Sequence, residues 1–514
     1  MNGAESLVRT LLAGGVDTCF ANPGTSEMHF VAALDRVPGM RCVLGLFEGV
    51  VTGAADGYAR MADKPAATLL HLGPGFGNGI ANIHNAGRAG SPMINIVGDH
   101  ATYHRAFDAP LTSDIEGLAA PVSHWIKTSP DAQSVATDGA AAIAAALKPP
   151  GQIATLILPA NTAWDEADGP AEAVAAARRS EVSDEAIQGA FQVLKAGEPS
   201  VLFMTGQSLR EEALRQAGRI AAVTGARLMA QTNNGREERG AGRVNVERLP
   251  YPLDQALTAL DGIKHIILVG AKAPVAFFAY PGKPSVLYPE GCNIHTLATR
   301  EEDCVPALSQ LSDRLGAPPA GVGVTDHEKT ELPSGALSPQ SIAQSVAALL
   351  PDQGIVVDEG ISSGRLVPEM TRSSAPHDWL QICGGAIGIG MPLSVGAAVA
   401  CPDRRVLGLQ ADGSGMYTLQ ALWTQARENL NVTTVVFANR RYASLHHELA
   451  NVGAGNPGRR ALDMLDLDRP DLDWVKLAQG MGVAAEAAND APSFNRLLDY
   501  GLRSDGPFLI QANL

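Results

Sequence analysis

LQADGSGMYTLQALWTQARENLNVTTVVFANRRY, residues 409–442, decides how this chain is read. An apolar run, Val406–Gln410, breaks at Asp412-Gly413-Ser414. A helix-forming stretch follows, and a second apolar run, Thr433–Phe437, stops at Asn439. The pattern predicts strand, helix, strand, with an oxygen-bearing side chain at each strand end. In open α/β sheets ligands collect at the carboxyl ends of strands. Gly413 allows close backbone approach, and Ser414 is expected to open a helix whose free N–H groups favour a phosphate. A hard cation such as Mg²⁺ takes oxygen ligands and shares them with phosphate. Asp412, Asn439 and the main-chain carbonyl of Arg441 are the expected protein share. Taken singly, Asp412 is equally well an ordinary helix cap and Asn439 a strand end; at this spacing the pair favours the cation.

The remainder of the chain sets limits on that reading. Its 514 residues exceed one hydrophobic core, so two or three domains are expected. Apolar residues make up 46% and charged residues 18%, the opposite of a disordered composition. A net charge of −15 argues against nucleic acid or an anionic membrane as partner, but not against an anionic small substrate in a local pocket. Cys19, Cys42, Cys292, Cys304, Cys383 and Cys401 form no CxxC pair, which points to free thiols, a reducing compartment and no zinc site. The opening MNGAESLVRTLLAGGVDTCF reads as an amphipathic helix entering a strand, so neither a signal peptide nor a membrane span is expected and a cytoplasmic location is the default.

Three blocks alternate short apolar runs with helical stretches. In residues 1–165, strands are expected at Thr18–Ala21, Arg41–Leu46, Ala67–His71, Pro92–Val97 and Thr155–Leu158. Residues 182–320 offer Ser200–Met204, Arg227–Ala230, His265–Val269 and Ser285–Tyr288. Residues 339–514 offer Gly354–Val357, Val406–Gln410, Thr433–Phe437 and Phe508–Gln511. The stretches 166–181 and 318–338, rich in charge and small residues or in Pro and Gly, read as linkers. The expected architecture is α/β: three consecutive doubly wound parallel-sheet domains.

With these motifs in hand, the segment 411–442 resembles the diphosphate motif of thiamine diphosphate enzymes that act on 2-oxo acids. That motif usually begins Gly-Asp-Gly and ends Asn-Asn; here Ala411 and Ala438 replace the first Gly and the first Asn. The resemblance implies a pyrimidine-binding, a central and a diphosphate-binding domain, in that order. It carries Asp412, Gly413, Ser414, Asn439 and Tyr442 over as cofactor residues, with thiamine diphosphate and Mg²⁺ as the bound groups. VLGLFEGVVTGAADGYARMADKPA, residues 43–66, resembles the other half and assigns Glu48 to the pyrimidine N1′, where a carboxylate favours the imino form that removes the thiazolium proton. Without the third block, Glu48 is an ordinary first-turn helix glutamate.

Further segments follow from the same resemblance. NPGTSE, 22–27, contains Pro23 in the turn beneath the pyrimidine, and the Gly-rich turn LLHLGPGFGNG, 69–79, contains Asn78 near it. The glycines of that turn lack GxGxxG spacing, which excludes a Rossmann dinucleotide site. ICGGAIGIGMP, 382–392, matches the segment that bends the cofactor, with the Gly385 carbonyl and the Ile387 wedge; DEGISSGR, 358–365, places Ile361 and Ser362 near phosphates. His71 matches an active-site histidine of benzoylformate decarboxylase-like enzymes. Their second histidine would fall within AKAPVAFFAYPG, 271–282, which has none. His446 and His447 either substitute for it or face solvent. Phe277, Phe278 and Tyr280 either shape a pocket or pack a core, and core packing is the favoured expectation. The implied activity is decarboxylation of a 2-oxo acid with carboligation as a further outcome, or acetolactate synthase-like carboligation. A non-catalytic, cofactor-binding subunit is the alternative from another class. No trusted FAD motif occurs in the central block. A homodimer or homotetramer with sites at the subunit boundary is expected.

Overall fold

The computed structural model describes residues 1–514 except 173, 176 and 319–322. Both predicted linkers, 166–181 and 318–338, and the predicted close of the central block at 320 therefore include positions outside the described residues.

Three mostly parallel sheets account for the architecture. The first runs, in spatial order, Arg41–Leu44, Thr18–Asn22, Ala66–Leu70, Met93–Asp99, Ile153–Pro159, Trp125–Thr128, all parallel. Its central strands are buried on both faces, which is why they read as unbroken apolar runs in the sequence. The second runs Glu247–Arg248, Arg227–Ala230, Ser200–Met204, His265–Val269, Asn293–Ala298. The third runs Glu237–Arg239, His377–Gln381, Gly354–Glu359, Val406–Ala411, Val432–Ala438, Phe508–Asn513, Ala484–Ala488. Six of its strands are parallel; the seventh, Glu237–Arg239, comes from the central block and pairs antiparallel with His377–Gln381.

Several expectations change. Ser285–Tyr288 is not a strand: Val286 makes one isolated bridge to Val275, and the edge strand is Asn293–Ala298. Pro284 and Pro289 flank the short apolar run and remove ladder donors. Arg41–Leu46 stops at Leu44, where the Gly45 N–H turns to the Ala21 carbonyl. The strands His377–Gln381 and Ala484–Ala488 contain no β-branched residue and do not stand out in sequence, and the four-residue strand Trp125–Thr128 is too short to show a period. The segment 166–181 is less free than a linker: Ser6 Oγ donates to the Gly169 carbonyl, and Ser180–Glu181 pairs with Glu302–Asp303.

The first and third blocks of one chain are packed directly together. Helix Glu48–Ala62 crosses helix Gly390–Ala400 so closely that a Cβ at Gly57 would strike the Leu393 carbonyl, and one at Gly396 the Ala54 carbonyl. Small residues at the crossing let two backbones touch, and the apolar cluster around Val50, Ile389 and Leu393 spans both blocks. This contact fixes where Glu48, at the outer end of its helix, is held.

Candidate active site

Glu48 follows Phe47, which has extended backbone, and opens helix Glu48–Ala62, so its carboxylate sits at the positive end of the helix dipole. It is 7% exposed. Asn78 Nδ2 donates to Glu48 Oε2 at 2.9 Å, the one side-chain hydrogen bond to this carboxylate among the described residues. Glu48 Oε1 faces Gly75, where a Cβ would lie 2.9 Å away. Asn78 is not on a turn. The run 72–79 forms the first turns of helix Leu72–Ala89, and the predicted Gly-rich turn is replaced by helix because its glycines pack against Ser113, Glu48 and Thr52.

His71 caps that helix one residue beyond the strand Ala66–Leu70 that was expected to contain it. Its Nδ1 lies 2.8 Å from Glu27 Oε2, which also accepts the Gly24 N–H at 2.7 Å. Glu27 ends the short turn Thr25–Glu27 beside Pro23 and is 2% exposed. Burial pushes its carboxyl above the ordinary glutamate value, while hydrogen bonds from His71 and Gly24 pull the other way. Sequence reasoning missed Glu27; the signal was an acid inside NPGTSE, three residues after a glycine.

Asp412 and Asn439 end the adjacent strands Val406–Ala411 and Val432–Ala438, as predicted from their spacing. Asp412 is buried; its Oδ1 accepts the Gly413 N–H at 2.8 Å and its Oδ2 the Arg440 N–H at 2.6 Å. Burial raises its carboxyl and these N–H groups oppose the rise. Asn439 Oδ1 accepts the Arg441 N–H at 3.1 Å, and the Arg441 carbonyl accepts the Ala443 N–H at 3.0 Å. A buried carboxylate, an amide oxygen and a carbonyl on neighbouring strand ends are the donor set of a hard divalent cation, each oxygen keeping a lone pair. Tyr442 lays its ring on Gly413, where a side chain would collide. The helix expected to begin at Ser414 begins instead at Asp412 and ends at Gly415; Ala421–Arg427 is a separate segment. Two glycines in four residues and the packing of Gly415 on Trp474 favour the break. The Ser414 hydroxyl turns inward, accepting from Gln410 Nε2 at 2.6 Å.

The bending segment is a loop entering helix Gly390–Ala400. Gly385 has φ +80°, a conformation glycine adopts without strain, and Ile387 is half-exposed beside it. Asn85 accepts the Gly384 and Ala386 N–H groups and donates to the Ala386 carbonyl at 2.8 Å. Buried Glu359 accepts the Gly388 and Gly390 N–H groups at 2.6 and 2.7 Å and Gln410 Nε2 at 3.0 Å. Sequence reasoning missed both Asn85 and Glu359. Ile361 has φ +45°, and Asn439 Nδ2 donates to Ser363 Oγ at 3.1 Å, so Ser363 and not Ser362 joins the two strand ends.

Phe277 and Phe278 are not core: they are 48% and 53% exposed. The Phe277 ring packs at a tilt of 54° against Tyr251 and reaches Gly385, 2.9 Å from where a Cβ would stand. Tyr280, half-buried, is pushed up to about 12 by burial and by Glu448. His446 Nε2 lies 3.0 Å from Asp466, and His447 is exposed. All six cysteines are free. No helix among the described residues is long and apolar enough to cross a membrane.

The comparisons with known proteins follow the same division. Residues 1–133 match the model of the thiamine pyrophosphate enzyme N-terminal TPP binding domain, and residues 363–512 that of the C-terminal TPP binding domain. The chain is 52% identical, over all of its length and 99% of the relative's, to a Mycobacterium tuberculosis protein provisionally named acetolactate synthase large subunit IlvX. It is 27% identical, over 97% of this chain and 96% of the relative, to benzoylformate decarboxylase of Pseudomonas aeruginosa. Among solved structures, a thiamine diphosphate-dependent 4-hydroxybenzoylformate decarboxylase from Rhodococcus jostii aligns with a TM-score of 0.86 at 25% identity, over 99% of this chain and 98% of that one.

Proposed function

This chain belongs to the thiamine pyrophosphate enzyme family, and from that premise we propose that it is a Mg²⁺-dependent enzyme that decarboxylates a 2-oxo acid. The observation that carries this reading is the pairing of two half-sites: Glu48, a buried carboxylate with an open acceptor oxygen, and the oxygen donors Asp412 and Asn439 at adjacent strand ends. When bound, thiamine diphosphate supplies a nucleophilic carbon and an electron sink beside a carbonyl.

The residues of the chain then divide the remaining work. Asp412, Asn439 and the Arg441 carbonyl hold the cation. Gly413, Ser414, Ile361, Ser362 and Tyr442 line the diphosphate. The Gly385 carbonyl and Ile387 would meet the pyrimidine from the third block, and Pro23 would support it from the first. Glu48 keeps a proton at the pyrimidine N1′, and Asn78 holds Glu48 in place. His71 orients the substrate carboxylate or moves a proton near it. The active unit in this reading is a homodimer or a homotetramer with its sites at the subunit boundary, as is usual for enzymes of this family.

Acetolactate synthase-like carboligation is a second reading, favoured by the name of the 52% identical relative. A binding-only subunit would have no use for a buried, open-ended Glu48. The test is carbon dioxide release from a panel of 2-oxo acids with thiamine diphosphate and Mg²⁺, with products scored as aldehyde or as 2-hydroxyketone. Glu48→Ala is expected to bind the cofactor by calorimetry and lose turnover by about 10²–10⁴-fold. Failure of the unaltered protein to take up the cofactor in Mg²⁺ sinks the proposal.

A further inference from the structure

Three separate segments close around Glu27. The turn Thr25–Glu27 carries it, His71 reaches it from the end of strand Ala66–Leu70, and Gly98 backs it from strand Met93–Asp99. Two glycines are cut out to make the room: a Cβ at Gly24 would enter the His71 ring, and one at Gly98 would fall on Glu27 Oε1. Oε2 is saturated by the Gly24 N–H and the His71 contact, whereas Oε1 is buried with no hydrogen-bond partner among the described residues. An unpaired buried oxygen is a cost to stability that an apolar side chain of the same shape would not carry. The cost is explained if the carboxylate has work to do.

We propose that Glu27 is a positioning residue: it holds the His71 ring with its proton on Nδ1 and leaves Nε2 as the acceptor on the open side of the site. An ionised carboxylate only accepts, so the ring nitrogen facing it must donate. Which nitrogen of a histidine is protonated is set by the partner of the other. His71 Nε2 has no protein partner among the described residues, and the side chain keeps a quarter of its surface open. The other charged or titratable groups nearby are Glu48, across Gly75 from His71, and Asp99, His100 and Arg105 beyond Gly98, with Asp99 held by Arg105 at 2.6 Å. This inference rests on the reading of His71 as a group that moves a proton near the substrate, because an acceptor Nε2 could take a proton but could not hold a carboxylate.

The test is a mutant cycle with a structural readout. Glu27→Leu removes both acceptor and charge; Glu27→Gln keeps an acceptor and removes the charge. Glu27→Leu is expected to lower kcat about 10²-fold, as His71→Ala does, and Glu27→Gln by about 10-fold, with KM and cofactor affinity within about threefold of the parent. The double variant Glu27→Leu/His71→Ala should be no slower than His71→Ala alone, since the two act as one unit. Solid-state ¹⁵N spectra of histidine-labelled protein, with the His71 signals identified by their loss in His71→Asn, should show Nδ1 protonated in the parent and mixed tautomers in Glu27→Leu. Unchanged kcat in both Glu27 variants, losses that multiply in the double variant, or an unchanged His71 spectrum in Glu27→Leu each overturn the proposal. If the unaltered protein turns over no 2-oxo acid, the reading of its function fails, and the spectra alone still decide the role of Glu27.

Discussion

The molecule contains two imidazole–carboxylate pairs near its candidate site, and they are housed in opposite ways. His71 and Glu27 meet at 2.8 Å and His446 and Asp466 at 3.0 Å; the two histidines are about equally open, at 25% and 27%, but the glutamate side chain is 1% exposed and the aspartate 33%. The first pair draws on three segments and two glycine cut-outs. The second joins helix Ala443–Asn451 to the loop that follows it, where water can replace either partner. The difference teaches that adjacency to a cofactor motif, which favours His446, is a weaker guide to function than the cost of the carboxylate's burial, which favours His71.

Substitutions test whether the two pairs differ in function as they do in burial. The largest effect is expected away from either histidine, at Asp412→Ala, which removes the only carboxylate of the proposed cation set. Calorimetry should find thiamine diphosphate affinity in Mg²⁺ lowered by about 10²-fold or more, and an unchanged affinity breaks the assignment. Next, His71→Ala should lower kcat by about 10²-fold while His446→Ala lowers it by less than about threefold; equal losses would erase the distinction between the pairs. Gly24→Ala, which drives a methyl into the His71 ring, should reproduce much of the His71→Ala loss without changing any titratable group. The smallest effect concerns stability. A carboxyl whose native pKa is raised binds its proton more readily when folded, so the fold loses stability as pH climbs past the ordinary glutamate value. Glu27→Gln removes that loss and should raise Tm by about 1–3 °C at pH 7, with the gain fading as pH falls to 4. A lowered Tm at pH 7 would mean that pairing with His71 outweighs the burial of Glu27.

The contrast also marks what could be read beforehand. The places of Asp412 and Asn439 at strand ends and of Glu48 at a helix start were legible because local pattern locates such positions. Strands at the centre of each sheet were legible for a similar reason, since burial on both faces leaves an apolar run. Glu27, Asn85, Glu359 and Ser363 were not, because each meets a segment elsewhere in the sequence, and no local period encodes a partner 29 to 301 residues distant. Phe277 and Phe278 misled because aromatic pairs usually pack a core; here the ring lies on a glycine of another block. Ser285–Tyr288 misled because its apolar run sits between prolines that deny it a ladder.

The strand Glu237–Arg239 carries one more consequence. It covers the outer edge of the third sheet, where His377–Gln381 would otherwise offer bare N–H and carbonyl groups to any passing strand. That cover is synthesised about 140 residues before the strand it protects. The C-terminal block is therefore not an excisable cassette: a fragment starting at residue 339 would expose that edge and self-associate, whereas one starting ahead of residue 237 retains its shield.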